Sequence, residues 1–311
     1  VKPHEIVAHA NTIAREYQRQ GLRLTLRQLY YQFVARGLTG NGQKVYKRIG
    51  AAMTSARLAG AFDVELIEDR GRSISDGGYG WSVLDVDEGL DLATQTVQDI
   101  PAEHIFAARW EGQQRFVSVW VEKKALSGVF QRPCQDLAVP LFPCAGYPSV
   151  SALYAFLQAA RAATRAHPGL QEVVVLYFGD HDPDGWEIPR SAARNLATLN
   201  RTYGVVDLPI RFERVALNMD QIEAFDPPPF PAKVTSSRYQ RYVDEHGTND
   251  AWELDALDPG ELQRLIRNEV TARFDGSVHR EVESSVGDAR AALRRRMSDP
   301  EWILEALGGG Q

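Results

Sequence analysis

The spacing of hydrophobic positions changes near residue 116 and divides the chain into two kinds of segment. Before that point apolar residues recur with a helical period. Ile6, Ala10, Ile13, Ala14 and Tyr17 predict a first helix over residues 3–20, ended by Gly21. Thr25 and Gln28 form a capping-box pattern, in which each side chain satisfies the other residue's backbone N–H, and open a second helix closed by Gly37. Its apolar stripe is Leu26, Leu29, Tyr30, Phe33 and Val34. Tyr31 lies about 100° round from Tyr30, off that stripe, and shares another face with Arg27 four residues earlier. A third helix from Gln43 to Leu58 turns Val45, Ile49, Ala52, Met53 and Ala56 inward and groups Lys44, Lys47 and Arg48 on a different face. A strand-like run, FDVELIEDRGR, follows.

From Phe116 onward short apolar runs alternate with helical segments. FVSVWV and EVVVLYF are apolar at both parities, as strands buried on both faces are. LAVPLFP and PIRFERVAL supply two further strands. KKALSGVFQ, SALYAFLQAARAAT and a segment from Ile188 to Tyr203 supply the helices between them. Such an order predicts a parallel sheet with helices on both faces. The Pro-rich FDPPPFPAK reads as a rigid loop, WELDALDPGELQRLIRNEV and DARAALRRRM as helices, and GGGQ as a flexible end. Between the two halves, residues 71–84 are rich in Gly and Ser and read as a linker, followed by a weakly amphipathic helix to Gln98. The expected fold class is α/β. A winged helix-turn-helix domain over 1–70 is followed by a linker and connecting helix over 71–115 and a parallel α/β sheet domain over 116–311.

Composition adds a partner to this picture. The net charge of −6 is uneven: residues 1–60 hold ten basic residues against Glu5 and Glu16, a balance of +8, so the other 251 residues carry −14. A basic module joined to an acidic one fits a chain whose first part meets a polyanion, with double-stranded DNA the leading candidate, and whose second part holds cations. Lys44, Lys47 and Arg48 are the expected phosphate contacts, set against the plainer reading of a solvated helix face. No apolar run is long enough to span a membrane, and VKPHEIVAHA lacks the apolar centre of a signal peptide, so a cytoplasmic, nucleoid-associated protein is expected. Cys134 and Cys144 sit in no ligand motif and read as spectator thiols.

The chemistry gathers at the end of EVVVLYF, where GDHDPDG places Asp180, Asp182 and Asp184 at alternate positions. In open α/β sheets ligands bind beyond the carboxyl ends of the strands. Three neighbouring carboxylates repel, and a hard divalent cation such as Mg²⁺ keeps them ionised. An EF-hand loop fails as an explanation, because its twelfth position is Ser191 and a strand precedes it. A phosphatase using the first Asp as nucleophile is a weaker rival, since the one later lysine is Lys233. A third reading pairs Asp180 and Asp182 with Glu122, at the end of FVSVWV, so that the cation polarises a phosphodiester while the glutamate handles protons. His181 is expected beside this group or at the surface.

Glu122 after a strand, followed by Asp180-His-Asp182-Pro-Asp184-Gly185, resembles the metal-binding Toprim domain of topoisomerases, primases and certain nucleases. The helix Thr25-Leu-Arg-Gln-Leu-Tyr-Tyr31 upstream of it is similar to the catalytic helix of the topoisomerase VI A subunit and of the related meiotic double-strand-break transesterases. The resemblance covers roughly residues 20–270. His181 stands where that family usually has a small residue, and Asp184 where an aromatic is common.

The resemblance implies that Tyr31 attacks a DNA phosphate to leave a 5′-phosphotyrosyl link. Arg27 then stabilises the developing charge, and Glu122, Asp180 and Asp182, joined by Asp184, hold Mg²⁺, with Mn²⁺ as an alternative. It also implies a homodimer in which the tyrosine of one protomer works with the acids of the other. No Gly-rich ATP site occurs, so an ATPase would be a separate partner. Some relatives with the same parts are defence nucleases that cut with metal-activated water, for which Tyr31 would be structural. A DNA-binding module with vestigial acids is the remaining alternative.

Overall fold

The computed structural model describes residues 2–19, 24–68 and 106–297. The Gly- and Ser-rich stretch over 71–84, the helix expected to Gln98, Gly21 and the terminal GGGQ lie outside these residues. Helices α1 (Pro3–Gln18), α2 (Leu26–Ala35) and α3 (Gln43–Leu58) pack around Ile6, Ile13, Leu29, Tyr30, Phe33, Ile49 and Met53. These are the stripes that the helical period selects. The capping box forms: Thr25 Oγ1 accepts from the Gln28 N–H at 3.2 Å, and Gln28 Oε1 from the Thr25 N–H at 2.8 Å. Tyr30 hydroxyl donates to Asn41 Oδ1 at 2.6 Å and accepts from the Gly42 N–H at 2.7 Å, tying α2 to the turn before α3.

The strand expected from Phe62 is mostly a turn. Asp63 Oδ1 accepts from the Glu65 N–H at 3.0 Å and winds Val64–Leu66 into a single 3-10 turn, a local bond that competes with extended pairing. Only β2 (Ile67–Glu68) is extended, pairing in parallel with β1 (Leu24–Thr25); residues 69–72 lie outside the described residues.

The second half is built on a four-stranded, wholly parallel sheet. In chain order its elements are β3 (Arg115–Val121), α4 (Ser127–Asp136), β4 (Leu141–Pro143), α5 (Val150–Ala166), β5 (Glu172–Phe178), α6 (Pro183–Tyr203) and β6 (Ile210–Ala216), and the spatial order is β4-β3-β5-β6. Both central strands are buried on two sides, and residues 173–178 are fully buried. One face of β5 presents Val174, Leu176 and Phe178 to α4 and to α9 (Pro259–Thr271). The other presents Val173, Val175 and Tyr177 to α5 and α6. That two-sided burial is why the strand carries no polar alternation. Later elements are α7 (Met219–Phe225), β7 (Phe230–Pro231), α8 (Tyr239–His246), β8 (Asp250–Ala251) and α10 (Gly276–Met297).

Three expectations shift. The Pro-rich segment is not wholly a loop, because Phe230–Pro231 pairs antiparallel with Asp250–Ala251 as a two-residue edge strand, where proline is tolerated. Residues 252–258 are not α-helical and hold only a single 3-10 turn at Leu254–Ala256; α9 starts where Asp258 caps it with Pro259 in its first turn. Helix α6 begins at Pro183 rather than Ile188, because Asp182 caps it.

The two halves meet through α3, α5 and α6. The buried Arg57 donates to Val64 O at 3.0 Å and to Ser151 Oγ at 2.5 Å, and Tyr203 hydroxyl donates to Arg57 O at 3.0 Å. Among the described residues ten α-helices are present, and none is long and apolar enough to cross a membrane.

Thr25→Ala removes the cap that begins α2. We expect a stability loss of about 1 kcal/mol, read from the urea midpoint, and a smaller loss for Thr25→Ser, which keeps the hydroxyl.

Candidate functional site

The register of the two central strands sets the site. Val121 lies opposite Phe178, so Glu122 and Gly179 leave the sheet side by side, with the Glu122 N–H donating to Phe178 O at 2.8 Å. Glu122 Oε2 accepts from the Asp180 N–H at 3.0 Å and from Tyr177 hydroxyl at 3.1 Å. A Cβ on Gly179 would collide with that carboxylate and the Tyr177 ring, so only glycine admits Glu122 here. Asp180 Oδ1 accepts from the Leu254 N–H at 2.8 Å, and its Oδ2 lies 3.1 Å from Lys123 Nζ. Asp182 Oδ1 accepts from the Gly185 N–H at 2.5 Å. A Cβ on Gly185 would strike Asp180 O, so the loop closes this tightly only with glycine there.

Electrostatics follow from this crowding. Burial, then the charges of Asp180 and Asp182, push the Glu122 carboxyl up to about 7, although the Asp180 N–H and Tyr177 hydroxyl favour the anion. Burial also raises Asp180, against the pull of the Leu254 N–H and Lys123. Lys123 is held above its ordinary range: burial opposes its charge, but Asp180, Asp255 and Glu253 outweigh burial. Its Nζ lies 3.1 Å from Asp255 Oδ2 and 3.2 Å from Glu253 Oε2.

Arg214 on β6 holds the acid loop from beneath. Its Nη2 donates to Asp180 O at 2.6 Å, Leu217 O at 3.0 Å and Gly179 O at 3.2 Å, and its Nη1 to Gly185 O at 2.8 Å. The guanidinium stacks 4.3 Å from the Trp186 ring centroid, and burial pulls it down to about 10, which leaves it charged at neutral pH.

His181 is neither exposed nor turned toward the carboxylates. It is fully buried among Trp186, Tyr242, His246 and Trp252, its Nδ1 2.7 Å from Tyr242 hydroxyl. Tyr242 donates to Asp250 O at 2.8 Å, so its oxygen accepts from an Nδ1–H tautomer. Burial pulls His181 down to about 3 and keeps the ring neutral. The reason for its position is a backbone bridge: His181 and Trp252 exchange N–H···O bonds of 2.8 and 2.9 Å, carrying His181 inward and laying residues 252–255 against the acids.

The other sequence-predicted residues are not gathered at this edge. Asp184 turns away to pair with Arg238 Nη1 at 2.8 Å, and Arg238 in turn covers the Tyr147 ring at 5.3 Å. Tyr31 is 48% exposed on α2 while Tyr30 is 4% exposed. Tyr31, four residues on, raises the Arg27 guanidinium above its ordinary range. Neither residue is among the hydrogen-bond partners of Glu122, Asp180 or Asp182. Lys44, Lys47 and Arg48 are exposed on α3, opposite the inward Ile49 and Met53. Cys134 and Cys144 are buried and form no disulfide.

Sequence reasoning passed over Arg214, Lys123, Glu253 and Asp255. A guanidinium inside the strand IRFERVA, and a second acid alternation in WELD, were the available signals.

Glu122, Asp180 and Asp182 fit a hard divalent cation in kind: all are carboxylates, with the Glu122 carboxyl forced toward its neutral form by burial and then by the charges of Asp180 and Asp182. Among the described residues, however, no three His, Cys, Asp or Glu side chains close on a common position. Each acid already has a partner, and the charge nearest Asp180 is the ammonium of Lys123.

Two outcomes follow. Because the folded protein keeps the Glu122 proton up to about 7 while the unfolded chain releases it near 4.5, stability is full below 4.5 and falls as pH rises through 7, by about 3 kcal/mol. The difference in urea midpoint between wild type and Glu122→Gln should trace that fall; a constant difference from pH 4.5 to 8 would contradict it. Arg214→Met should cost about 3 kcal/mol, by taking the guanidinium donor from Asp180 O, Leu217 O and Gly185 O while Gly179 O keeps the Leu217 N–H, and should speed hydrogen exchange at the Asp180 and Leu254 amides before exchange rises elsewhere. Family models and curated proteins offer no match to this chain, so its function is argued from this geometry alone.

Proposed function

We propose that this chain cleaves double-stranded DNA with the help of a divalent cation, through a tyrosine transesterification of the topoisomerase VI A kind. The observation that carries the reading is the exposed Tyr31 with Arg27 one turn before it on α2, on a helical module whose next helix shows Lys44, Lys47 and Arg48 to solvent. A core tyrosine would resemble Tyr30, which is buried and tied to Asn41 and Gly42.

In this reading Lys44, Lys47 and Arg48 neutralise backbone phosphates and seat the module, a winged-helix domain, on the duplex. The Tyr31 oxygen attacks phosphorus, the bond to the 3′ oxygen breaks, and that oxygen takes up a proton, leaving a free 3′ hydroxyl and a 5′-phosphotyrosyl link. Arg27 donates to the phosphoryl oxygens as charge builds on them. Glu122, Asp180 and Asp182, at the edge of a Toprim-like sheet, would hold Mg²⁺ or Mn²⁺. When bound, the ion supplies positive charge to the scissile phosphate. Arg214 keeps the loop carrying Asp180 and Asp182 in one shape by bonding its carbonyls.

Tyr31 is not among the hydrogen-bond partners of the acids of its own chain, and a homodimer in which each tyrosine serves the other protomer's edge accommodates that separation. A strand-passage ATPase would be a separate chain.

The Glu122 carboxyl near 7 supports a second reading, a nuclease that uses water, because a group poised near neutral pH can move protons to or from an attacking water. Incubation with duplex DNA and Mg²⁺, followed by denaturation, separates the two. The transesterase traps a covalent protein–DNA adduct, which Tyr31→Phe lowers ~10³-fold without changing DNA affinity. Cut ends with no adduct, insensitive to Tyr31→Phe and lost in Asp180→Ala, establish the water nuclease instead. Binding without any metal-dependent cutting establishes a module with vestigial acids.

A further inference from the structure

A DNA strand brought to the carboxyl edge of the sheet meets a row of acids that repel its phosphates. Contact there needs a cation whose donors can turn outward. Among the described residues, Lys123, Arg214 and Arg238 bond the loop that carries Asp180, Asp182 and Asp184. Lys123 is shared by Asp180, Glu253 and Asp255, and Arg214 is taken up by backbone carbonyls. Arg238 differs: it is 39% exposed and meets one carboxylate, Asp184, itself 42% exposed. An ion pair in that much solvent is weak, so this guanidinium exchanges partners readily.

Beside Arg238 lies Tyr147, whose ring it covers at 5.3 Å. The tyrosine is 39% exposed, on the segment joining β4 to α5. That segment is pinned to the edge: the Cys144 N–H donates to Val121 O at 2.8 Å and the Gly146 N–H to Glu122 O at 3.2 Å. Ala145 and Gly146 are both left-handed, with φ of 51° and 83°, and Ser149 Oγ caps α5 by accepting from the Ala152 N–H. Tyr147 is thus anchored on both sides, one residue beyond the bond to Glu122, with its ring partly open to solvent. Burial, then the charges of Asp184, Glu187 and Glu122 against the pull of Arg238, pushes its hydroxyl up to about 12 and keeps it uncharged. A flat neutral ring with a guanidinium on its face has the chemistry of a nucleotide contact: the guanidinium suits a phosphate, and the ring suits the sugar or base beside it.

Resting on the DNA reading above, and on no metal, we propose that Tyr147 and Arg238 hold a DNA strand at the acid edge. Arg238 exchanges Asp184 for a backbone phosphate, and the Tyr147 ring packs against the adjoining sugar. Asp184 stands in for that phosphate while no DNA is bound: it keeps the guanidinium over the ring and competes for it. A purely structural Arg238 would instead tie residues 232–238 to α6 and stay on Asp184 when DNA binds.

The test measures binding of the full chain to fluorescein-labelled duplex DNA by anisotropy, in EDTA and over a range of salt. We expect Arg238→Gln to bind about fivefold more weakly and to lower the salt slope by about 1, and Tyr147→Leu to bind about threefold more weakly with the slope unchanged. Asp184→Asn should bind about threefold more tightly, a gain that disappears when Arg238→Gln is added. In the wild type, phenylglyoxal modification of Arg238, read by mass spectrometry, should slow about threefold when DNA is added. The labelling arm needs no variant, so a poorly folded mutant does not shield the proposal. Unchanged affinity in Arg238→Gln or Tyr147→Leu, an Asp184→Asn gain that survives without Arg238, or unchanged labelling overturns this contact. If Lys44→Gln and Lys47→Gln still weaken binding in that case, the DNA reading stands without it. Absence of DNA binding by the wild type overturns both.

Discussion

Two carboxylates buried side by side are the constraint around which this structure is arranged. Strands β3 and β5 run in parallel and in register, and each ends at the same height with an acid just beyond it. The fully buried apolar strands below carry Glu122 and Asp180 into a place where charge is poorly solvated, a cost of several kcal/mol per ion. Around them sit the means of lowering that cost. Backbone N–H groups of Asp180 and Leu254 point at carboxylate oxygens, Tyr177 gives its hydroxyl, and Glu122 meets the remainder by holding its proton up to about 7.

The cations of the site divide the work between them. Arg214 bonds carbonyl oxygens and so fixes the course of the chain from Gly179 to Gly185. Lys123 bonds carboxylates and so neutralises charge. A guanidinium suits the first task, with several donors in one plane, and an ammonium on a flexible stem suits the second. His181, neutral and enclosed by aromatic rings, adds rigidity to the same loop without adding charge.

The helical module is attached firmly, but elsewhere. Arg57, Ser151, Thr202 and Tyr203 join α3 to α5 and α6, while α2 presents Arg27 and Tyr31 outward. The tyrosine and the acids thus sit on different parts of the chain, with neither Arg27 nor Tyr31 bonded to Glu122, Asp180 or Asp182.

Much of this architecture was legible in the residues. The helical periods of α1, α2 and α3, the Thr25–Gln28 box, the strand buried on both faces and the placing of Glu122 and Asp180 at one edge all arise from local pattern, because burial on one or two faces writes its period directly into the chain. Local pattern also separated Tyr30 from Tyr31. Contacts between segments far apart in sequence left no such mark. That Leu254 donates to Asp180, that Glu253 and Asp255 share Lys123, that Arg214 reaches four carbonyls, and that Asp184 is drawn off to Arg238 depends on where residues 214–255 pack after the sheet has formed. His181 shows the difference in a single residue: its neighbours Asp180 and Asp182 predicted a polar setting, and the backbone bridge to Trp252 placed it in the core. The sequence by itself determined which carboxylates stand at the end of the sheet, since a strand's period and the point where its apolar run stops are local properties. Only the tertiary structure decided which groups meet them, because Arg214, Leu254, Glu253 and Asp255 reach the edge through contacts far apart in sequence that no local periodicity encodes.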